Sequence, residues 1–156
     1  MLTPFKPQDF DCLHEFMRPL WHEVYGPILP PVQIDFLLEK YFSAKGLKTY
    51  LAQGYEYFWI EDNGAHIGVL AIQEREREIY LDKLYLLPDA RGKGYPDQVF
   101  SALLQRKKDI LLNVNQANER AVNCYRKHGF FIDEVMDIPL GNGMVNKDFV
   151  MRKKAE

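Results

Sequence analysis

Residues able to do chemistry concentrate between Ile79 and Phe100, which reads IYLDKLYLLPDARGKGYPDQVF. An apolar run of Ile79, Tyr80, Leu81, Leu84, Tyr85, Leu86 and Leu87 reads as a strand and meets Pro88. It is followed by Arg91, Gly92, Lys93 and Gly94, and then by a segment able to form a helix. Strand, glycine-rich turn and helix in that order present unpaired backbone N–H groups to a phosphate. The glycines allow close backbone approach and positive φ, and the helix start adds a favourable dipole. The chemistry so far is that of an anion cradle.

The rest of the chain must position this cradle. Leu2 to Phe5 can form a first strand. Asp9 is placed to cap a helix in which Phe10, Leu13, Phe16, Met17, Leu20 and Val24 recur at helical spacing, with Pro19 expected to kink or split it. Gly26 to Pro31 reads as a loop, Val32 to Phe42 as a second helix, and Leu47 to Gln53 as a short third one ended by Gly54. The period then changes. Tyr55 to Ile60 and His66 to Ile72 read as strands around the hairpin signal Asn63-Gly64, and Ile79 to Leu87 follows after a charged turn, Glu74 to Glu78. Beyond the glycine loop come a helix over Pro96 to Arg106 and a short buried strand, Ile110 to Val114. A helix from Asn118 to His128 then stops at Gly129. Strands over Phe130 to Ile138 and Met144 to Met151 close the chain around Gly141-Asn142-Gly143. The sum is an α/β (α+β) chain with a mixed, mostly antiparallel seven-stranded sheet flanked by helices.

Composition narrows the classes. The chain has 156 residues, 47% apolar and 13% aromatic, enough for one well-developed core, and no linker or repeat divides it. A net charge of −2 gives no electrostatic case for nucleic-acid or membrane partners. No apolar run approaches the roughly 20 residues needed to cross a bilayer. The start MLTPFKPQDFD lacks the blocks of a signal peptide, and Cys12 and Cys124 have neither metal-ligand nor disulfide-framework spacing. A soluble cytoplasmic single domain, residues 1–156, is expected. His14-Glu15 and His22-Glu23 begin like a zinc-protease helix, but Arg18 and Gly26 stand where a second histidine is needed. The loop RGKGYP lacks the Lys-Ser/Thr ending of a nucleotide triphosphatase. Arg106, Lys107 and Lys108 read as a solvated helix end, and Glu74 to Glu78 as a turn.

Two stretches taken together resemble the GNAT superfamily of N-acetyltransferases, which use acetyl-coenzyme A. Arg91-Gly92-Lys93-Gly94-Tyr95-Pro96 is similar to the family's pyrophosphate loop. In NQANERAVNCYRKHGF, Asn118, Ala121, Tyr125, Gly129 and Phe130 match its second cofactor element. The resemblance implies the acyl-CoA N-acyltransferase fold, acetyl-CoA as co-substrate and no metal. It also allows a homodimer, since family members often pair. It implies that backbone groups of Leu84, Tyr85 and Leu86 pair with the pantetheine arm, and that one of their N–H groups faces the developing oxyanion. Arg91 and the amides from Gly92, Lys93, Gly94 and Tyr95 would hold the pyrophosphate, and Asn118 would bond the pantetheine region. Tyr125 would protonate the leaving thiolate; otherwise it is a helix residue packing its ring into the core.

The chain departs from the family at Pro96, where Gly or Ala is usual. Proline has no N–H, so one phosphate donor, worth roughly 1.5–3 kcal/mol if charge-assisted, could be missing. The other reading places Pro96 in the first helical turn, which its fixed φ suits.

The reaction implied is attack of a neutral amine on the thioester carbonyl, with release of the coenzyme A thiolate. A lysine-like amine of pKa about 10.4 costs roughly 4.6 kcal/mol to deprotonate at pH 7, an α-amine about 1 kcal/mol. A primary amine therefore calls for a base. The position that carries an acid on the fifth strand of some relatives is Asn113 here, which leaves Asp82, Glu23 and His22 as candidates. Acceptor specificity, by the resemblance, comes from the early helices and last hairpin: Trp21, Tyr25, Tyr41, Phe42, and Asp137 or Asn142. These could form an aromatic, acidic pocket for a cationic amine, or the aromatics could be core. The expected activity is acetyl transfer from acetyl-CoA to a primary amine of a small molecule or peptide. The rival, raised by Pro96 and the missing base, is a coenzyme A-binding module with little or no transfer.

Overall fold

Apolar spacing sets the first helix. In α1 (Leu13–Tyr25), Leu13, Met17, Leu20 and Trp21 fall on one stripe and are all buried. The computed structural model describes residues 1–155; Glu156, the last residue of the anticipated domain, lies outside the described residues. Seven strands form one mixed sheet. They are β1 (Leu2–Pro4), β2 (Tyr55–Asp62), β3 (Ala65–Glu74), β4 (Glu78–Leu86), β5 (Asp109–Asn115), β6 (Phe131–Gly141) and β7 (Met144–Lys153), in the order β1-β2-β3-β4-β5-β7-β6. Only the β4–β5 ladder among the described pairs is parallel, over Glu78–Leu81 and Asp109–Leu112. The pairs β1–β2, β2–β3, β5–β7 and β6–β7 are antiparallel. The expected α/β sheet and its flanking helices are what the chain adopts. Contacts divide it into two compact units. One is Met1–Gln73 with Lys83–Arg91; the other is Glu74–Asp82 with the chain from Gly92 onward.

The first unit holds α1, α2 (Pro31–Phe42) and α3 (Ala44–Ala52) with β1 to β3 and the end of β4. A 3-10 turn over Pro7–Cys12 precedes α1, so Asp9 is not the cap expected of it. Pro7 starts that turn, and the Asp9 carboxylate accepts from Lys6 N–H at 2.7 Å instead. Pro19 lies inside α1 without splitting it. Helix α3 begins three residues earlier than its apolar pattern indicated, because the Ser43 hydroxyl accepts from the Gly46 amide. Gly68 on β3 shows how closely β4 approaches. A Cβ there would stand 2.4 Å from the Tyr85 carbonyl oxygen and 2.9 Å from a Leu86 methyl. Since the first obstacle is backbone, Gly68→Ala is expected to lose about 1–3 kcal/mol, read as a lowered urea midpoint at unchanged slope.

The second unit holds the start of β4, α4 (Tyr95–Leu104), β5, α5 (Glu119–Lys127), β6 and β7. Ile79, Ile110, Leu112, Leu103 and Met151 are its buried centre. Here the charged residues do more than the sequence reading allowed. Glu74 accepts from Arg106 at 2.5 Å and Lys108 at 3.0 Å, so the turn after β3 and the segment after α4 are tied together rather than simply solvated. Arg152 is shared among Glu78, Asp109 and Asp133. The Ala155 N–H, then Arg152 and Lys154, hold the Asp109 carboxyl below its ordinary range. A depressed carboxylate contributes stability above its unfolded pKa, and loses it as pH falls through the folded value. The thermal midpoint of the wild type is therefore expected to fall on acidification below about pH 4, and Asp109→Asn to show a shallower decline there.

Candidate functional site

In the second unit the glycine loop leads straight into α4. Gly92 has φ +74° and Gly94, the residue capping α4, has φ +85°. A Cβ on either would meet nothing within 4 Å, so these glycines serve backbone conformation and not crowding. The first helical bond runs from Gln98 N–H to Gly94 O, so the amides of Gly94, Tyr95 and Asp97 precede the helix ladder. Pro96 is the second helical residue, in the first turn, where the helix itself requires no N–H. Asp97, in the same turn and 73% exposed, meets His128 Nδ1 at 2.6 Å. That contact ties the start of α4 to the end of α5, where the His128 carbonyl also accepts from Lys153.

Helix α5 explains much of the NQANERAVNCYRKHGF pattern. The Asn118 Oδ1 caps it by accepting from Ala121 N–H at 3.3 Å, with Asn118 only 8% exposed. At the other end Gly129 takes φ +88°, Phe130 N–H bonds the Tyr125 carbonyl, and Gly129 N–H bonds the Arg126 carbonyl. This is the Schellman arrangement, complete with its apolar contact, since the Tyr125 and Phe130 rings lie 5.4 Å apart. Phe100 of α4 packs against Tyr125, His128 and Phe130 at 6.1, 5.0 and 5.1 Å. Asn118 and Tyr125 are thereby held in place by the two ends of one short helix.

Of the remaining anticipated residues, those of β4 after Asp82, Arg91 and the early helices lie in the first unit, and Asp82, Asp137 and Asn142 in the second. Leu84 and Tyr85 are half-buried and Leu86 buried, and the adjoining Leu87 N–H bonds the Ile67 carbonyl at 2.8 Å. The Arg91 guanidinium meets Glu23 Oε1 at 2.6 Å. His22 Nε2 lies 2.8 Å from Asp35. Glu23 and His22 are therefore committed to ion pairs or hydrogen bonds, and Asp82, half-buried on β4, has an interaction of its own. Trp21, Tyr25, Tyr41 and Phe42 do assemble. Trp21 lies 5.1 Å from Tyr25, 6.0 Å from Tyr41, 5.2 Å from Phe42 and 5.7 Å from Tyr85. The hydroxyls of Tyr25 and Tyr85 share a 2.6 Å hydrogen bond.

An acid was expected beside these rings, but a cation of the chain's own is there. Lys83, 4% exposed, places Nζ 5.2 Å from the Tyr41 ring, 5.4 Å from Phe42, 4.8 Å from Tyr50 and 5.8 Å from Tyr57. The inner faces of this aromatic group already serve an ammonium. The strand period held the signal, because Lys83 continues the inward series Ile79, Leu81. Asp137 is exposed and faces Lys147 across the β6–β7 ladder, and Asn142 is a turn residue with φ +52°.

A carboxylate that the sequence reading passed over lies in the second unit. Asp148 of β7 is 7% exposed, and Asn113 Nδ2 approaches it at 3.5 Å while Tyr80 donates to Asn113 Oδ1 at 2.9 Å. Burial pushes the Asp148 carboxyl up from its usual range, opposed by the Asn113 hydrogen bond. Cys12 and Cys124 are both free, and among the described residues no group of side chains is arranged to hold a metal. No helix among those residues is long and apolar enough to cross a membrane.

Comparison with known proteins adds independent observations. The model of the acetyltransferase (GNAT) family matches residues 13–130. An uncharacterized N-acetyltransferase of Mycobacterium bovis, Mb2688, is 30% identical over 132 residues, covering 80% of this chain and 84% of that protein. The peptidyl-lysine N-acetyltransferase YiaC of Escherichia coli is 31% identical over 84 residues, 54% of this chain and 55% of its own length. Among solved structures, the PaiA N-acetyltransferase of Thermoplasma acidophilum in complex with coenzyme A superposes with a TM-score of 0.76. It is 20% identical, with 99% of this chain and 98% of that chain covered. At that identity the likeness concerns the fold.

Proposed function

The chain belongs to the GNAT family of acetyltransferases and is an N-acetyltransferase, and from that premise we propose that it moves an acetyl group from acetyl-CoA to a primary amine of a small molecule or peptide. The observation carrying this reading is the loop Gly92–Gly94, with Gly92 and Gly94 at positive φ at the start of α4 and N–H groups ahead of the helix ladder. In the proposal Arg91 and the amides of Gly92, Lys93, Gly94 and Tyr95 hold the pyrophosphate. Leu84, Tyr85 and Leu86 align the pantetheine arm, and Asn118 supports it. The amine attacks the thioester carbonyl, the C–N bond forms as the C–S bond breaks, and Tyr125 protonates the departing thiolate.

A peptide acceptor draws support from YiaC, named for peptidyl-lysine. Against a strongly cationic acceptor stands Lys83, which fills the aromatic group with positive charge. Residues 1–156 act as one transferase domain in this reading, in a reducing compartment suited to two free thiols. The test is a panel of amines with acetyl-CoA, following free thiol, beside calorimetry of coenzyme A binding. Thiol release with at least one amine is the expected result. Coenzyme A binding without any transfer would instead support a binding module, and no binding at all would remove both readings.

A further inference from the structure

We propose, resting on the transferase reading above, that Asp148 is the general base, accepting the proton that a cationic acceptor amine must lose before its nitrogen can attack the thioester. The chemistry needs such a group, because a protonated alkylamine has no lone pair with which to attack and must first give up a proton. In the step, an ammonium proton passes to the Asp148 carboxylate, directly or through one water; the freed lone pair makes the C–N bond, and the second N–H proton leaves to solvent as the amide forms. The C–S electron pair leaves with sulfur, which is protonated in turn, and Asp148 returns its proton to solvent.

Position favours Asp148. The β4–β5 ladder is the parallel pair among the described ladders, joined by a crossover through α4, and ligands of such units bind at the carboxyl ends of the strands. Asp148 stands opposite Asn115, the last residue of β5. The connection from β5 to α5 is fastened there, since Gln116 N–H bonds the Lys147 carbonyl at 2.9 Å and Gln116 Nε2 bonds the Asp148 carbonyl at 3.3 Å. The connection leads directly to Asn118 and the helix of Tyr125.

Its surroundings suit a base. By strand register, Asp148 shares its sheet face with Tyr80 and Asp82 of β4, and with Asn113 and Asn115 of β5. The same face also carries Glu78 of β4, Asp109 and Leu111 of β5, Glu134 and Met136 of β6, and Val150 and Arg152 of its own strand. Arg152 is taken up by Glu78, Asp109 and Asp133, and among the described residues the side-chain contact to the Asp148 carboxylate comes from neutral Asn113. Tyr80 fixes that amide by donating to its oxygen, turning the NH₂ toward Asp148. Burial strengthens the carboxylate as a proton acceptor while leaving a 7% opening. Glu23 and His22 lack this freedom, being engaged by Arg91 and Asp35.

The experiment compares the full-length wild type with Asp148→Asn, using acetyl-CoA, thiol detection and two acceptors. With an alkylamine of pKa about 10.4, kcat/KM of the variant should fall by about 10²-fold near neutral pH. The gap should close as pH rises and the amine deprotonates unaided. With an arylamine already neutral at the assay pH, the two proteins should differ little, and KM for acetyl-CoA should be unchanged. A folded carboxyl with raised pKa costs stability once ionised, so the variant's thermal midpoint at neutral pH should equal or exceed that of the wild type. An unchanged pH profile in an active pair overturns the Asp148 assignment alone. A uniform loss at every pH and with both amines, or a lowered midpoint, assigns it a structural role and also overturns it. A wild type that releases no thiol with either amine overturns this inference together with the transferase reading.

Discussion

Tyr125→Phe is expected to lower kcat by about 10²–10⁴-fold while leaving the dissociation constant for acetyl-CoA within a few-fold of wild type. The argument is local. The hydroxyl is one polar atom on a ring that the C-terminal cap of α5 fixes: Phe130 N–H bonds the Tyr125 carbonyl, and the Phe130 ring lies 5.4 Å from the Tyr125 ring. Phenylalanine retains the ring, the cap and the packing on Phe100, so the variant removes the hydroxyl, the proton donor of the proposed step, without emptying the site of the ring. A tyrosine of pKa about 10 is protonated at neutral pH and well matched to a leaving thiolate of pKa near 8.5. Steady-state kinetics with thiol detection, together with calorimetry of coenzyme A binding, separate turnover from affinity. Turnover equal to wild type would reduce Tyr125 to the core residue that its 8% exposure also permits.

The local backbone around the glycine loop and α5 was more legible in the sequence than the long-range side-chain pairs, and the difference is physical. A phosphate cradle is built from backbone, and backbone conformation is written in local residue types. Gly92 and Gly94 announce positive φ, Pro96 a first helical turn and Gly129 a helix end, and each takes that role, while Asn118, read as the first helical residue, caps the helix instead. A base is a matter of which side chain remains after long-range pairs form. Nothing near Glu23 announces Arg91, 68 positions away, and nothing near Glu74 announces Arg106 and Lys108. Asp148 sits in a strand flanked by Lys147 and Phe149, and only its pairing with β5 brings Asn113 to it. The aromatic group shows the same limit. Its members were readable from α1 and α2, but the ammonium among them comes from β4.

Phe100→Ala should carry the largest cost in stability, about 3–5 kcal/mol. The side chain is 2% exposed and touches the rings of Tyr125, His128 and Phe130, which come from the end of α5 and the residue that caps it. Truncation leaves a void that three rings on a capped helix end cannot close without breaking the Schellman bonds or the Asp97–His128 contact. For a chain of this length each kcal/mol lowers the thermal midpoint by roughly 2–4 °C, so the loss should be plain in a melting curve. Phe100→Leu keeps most of the volume and should cost clearly less. The same void loosens the ring of Tyr125, so kcat should fall in Phe100→Ala even at temperatures where the variant is fully folded. The double variant with Tyr125→Phe should then show less than the product of the two single losses, because the second change removes a hydroxyl the first has already misplaced. A midpoint within a few degrees of wild type, or kinetic losses that multiply, would mean that Phe100 does not hold Tyr125 in position.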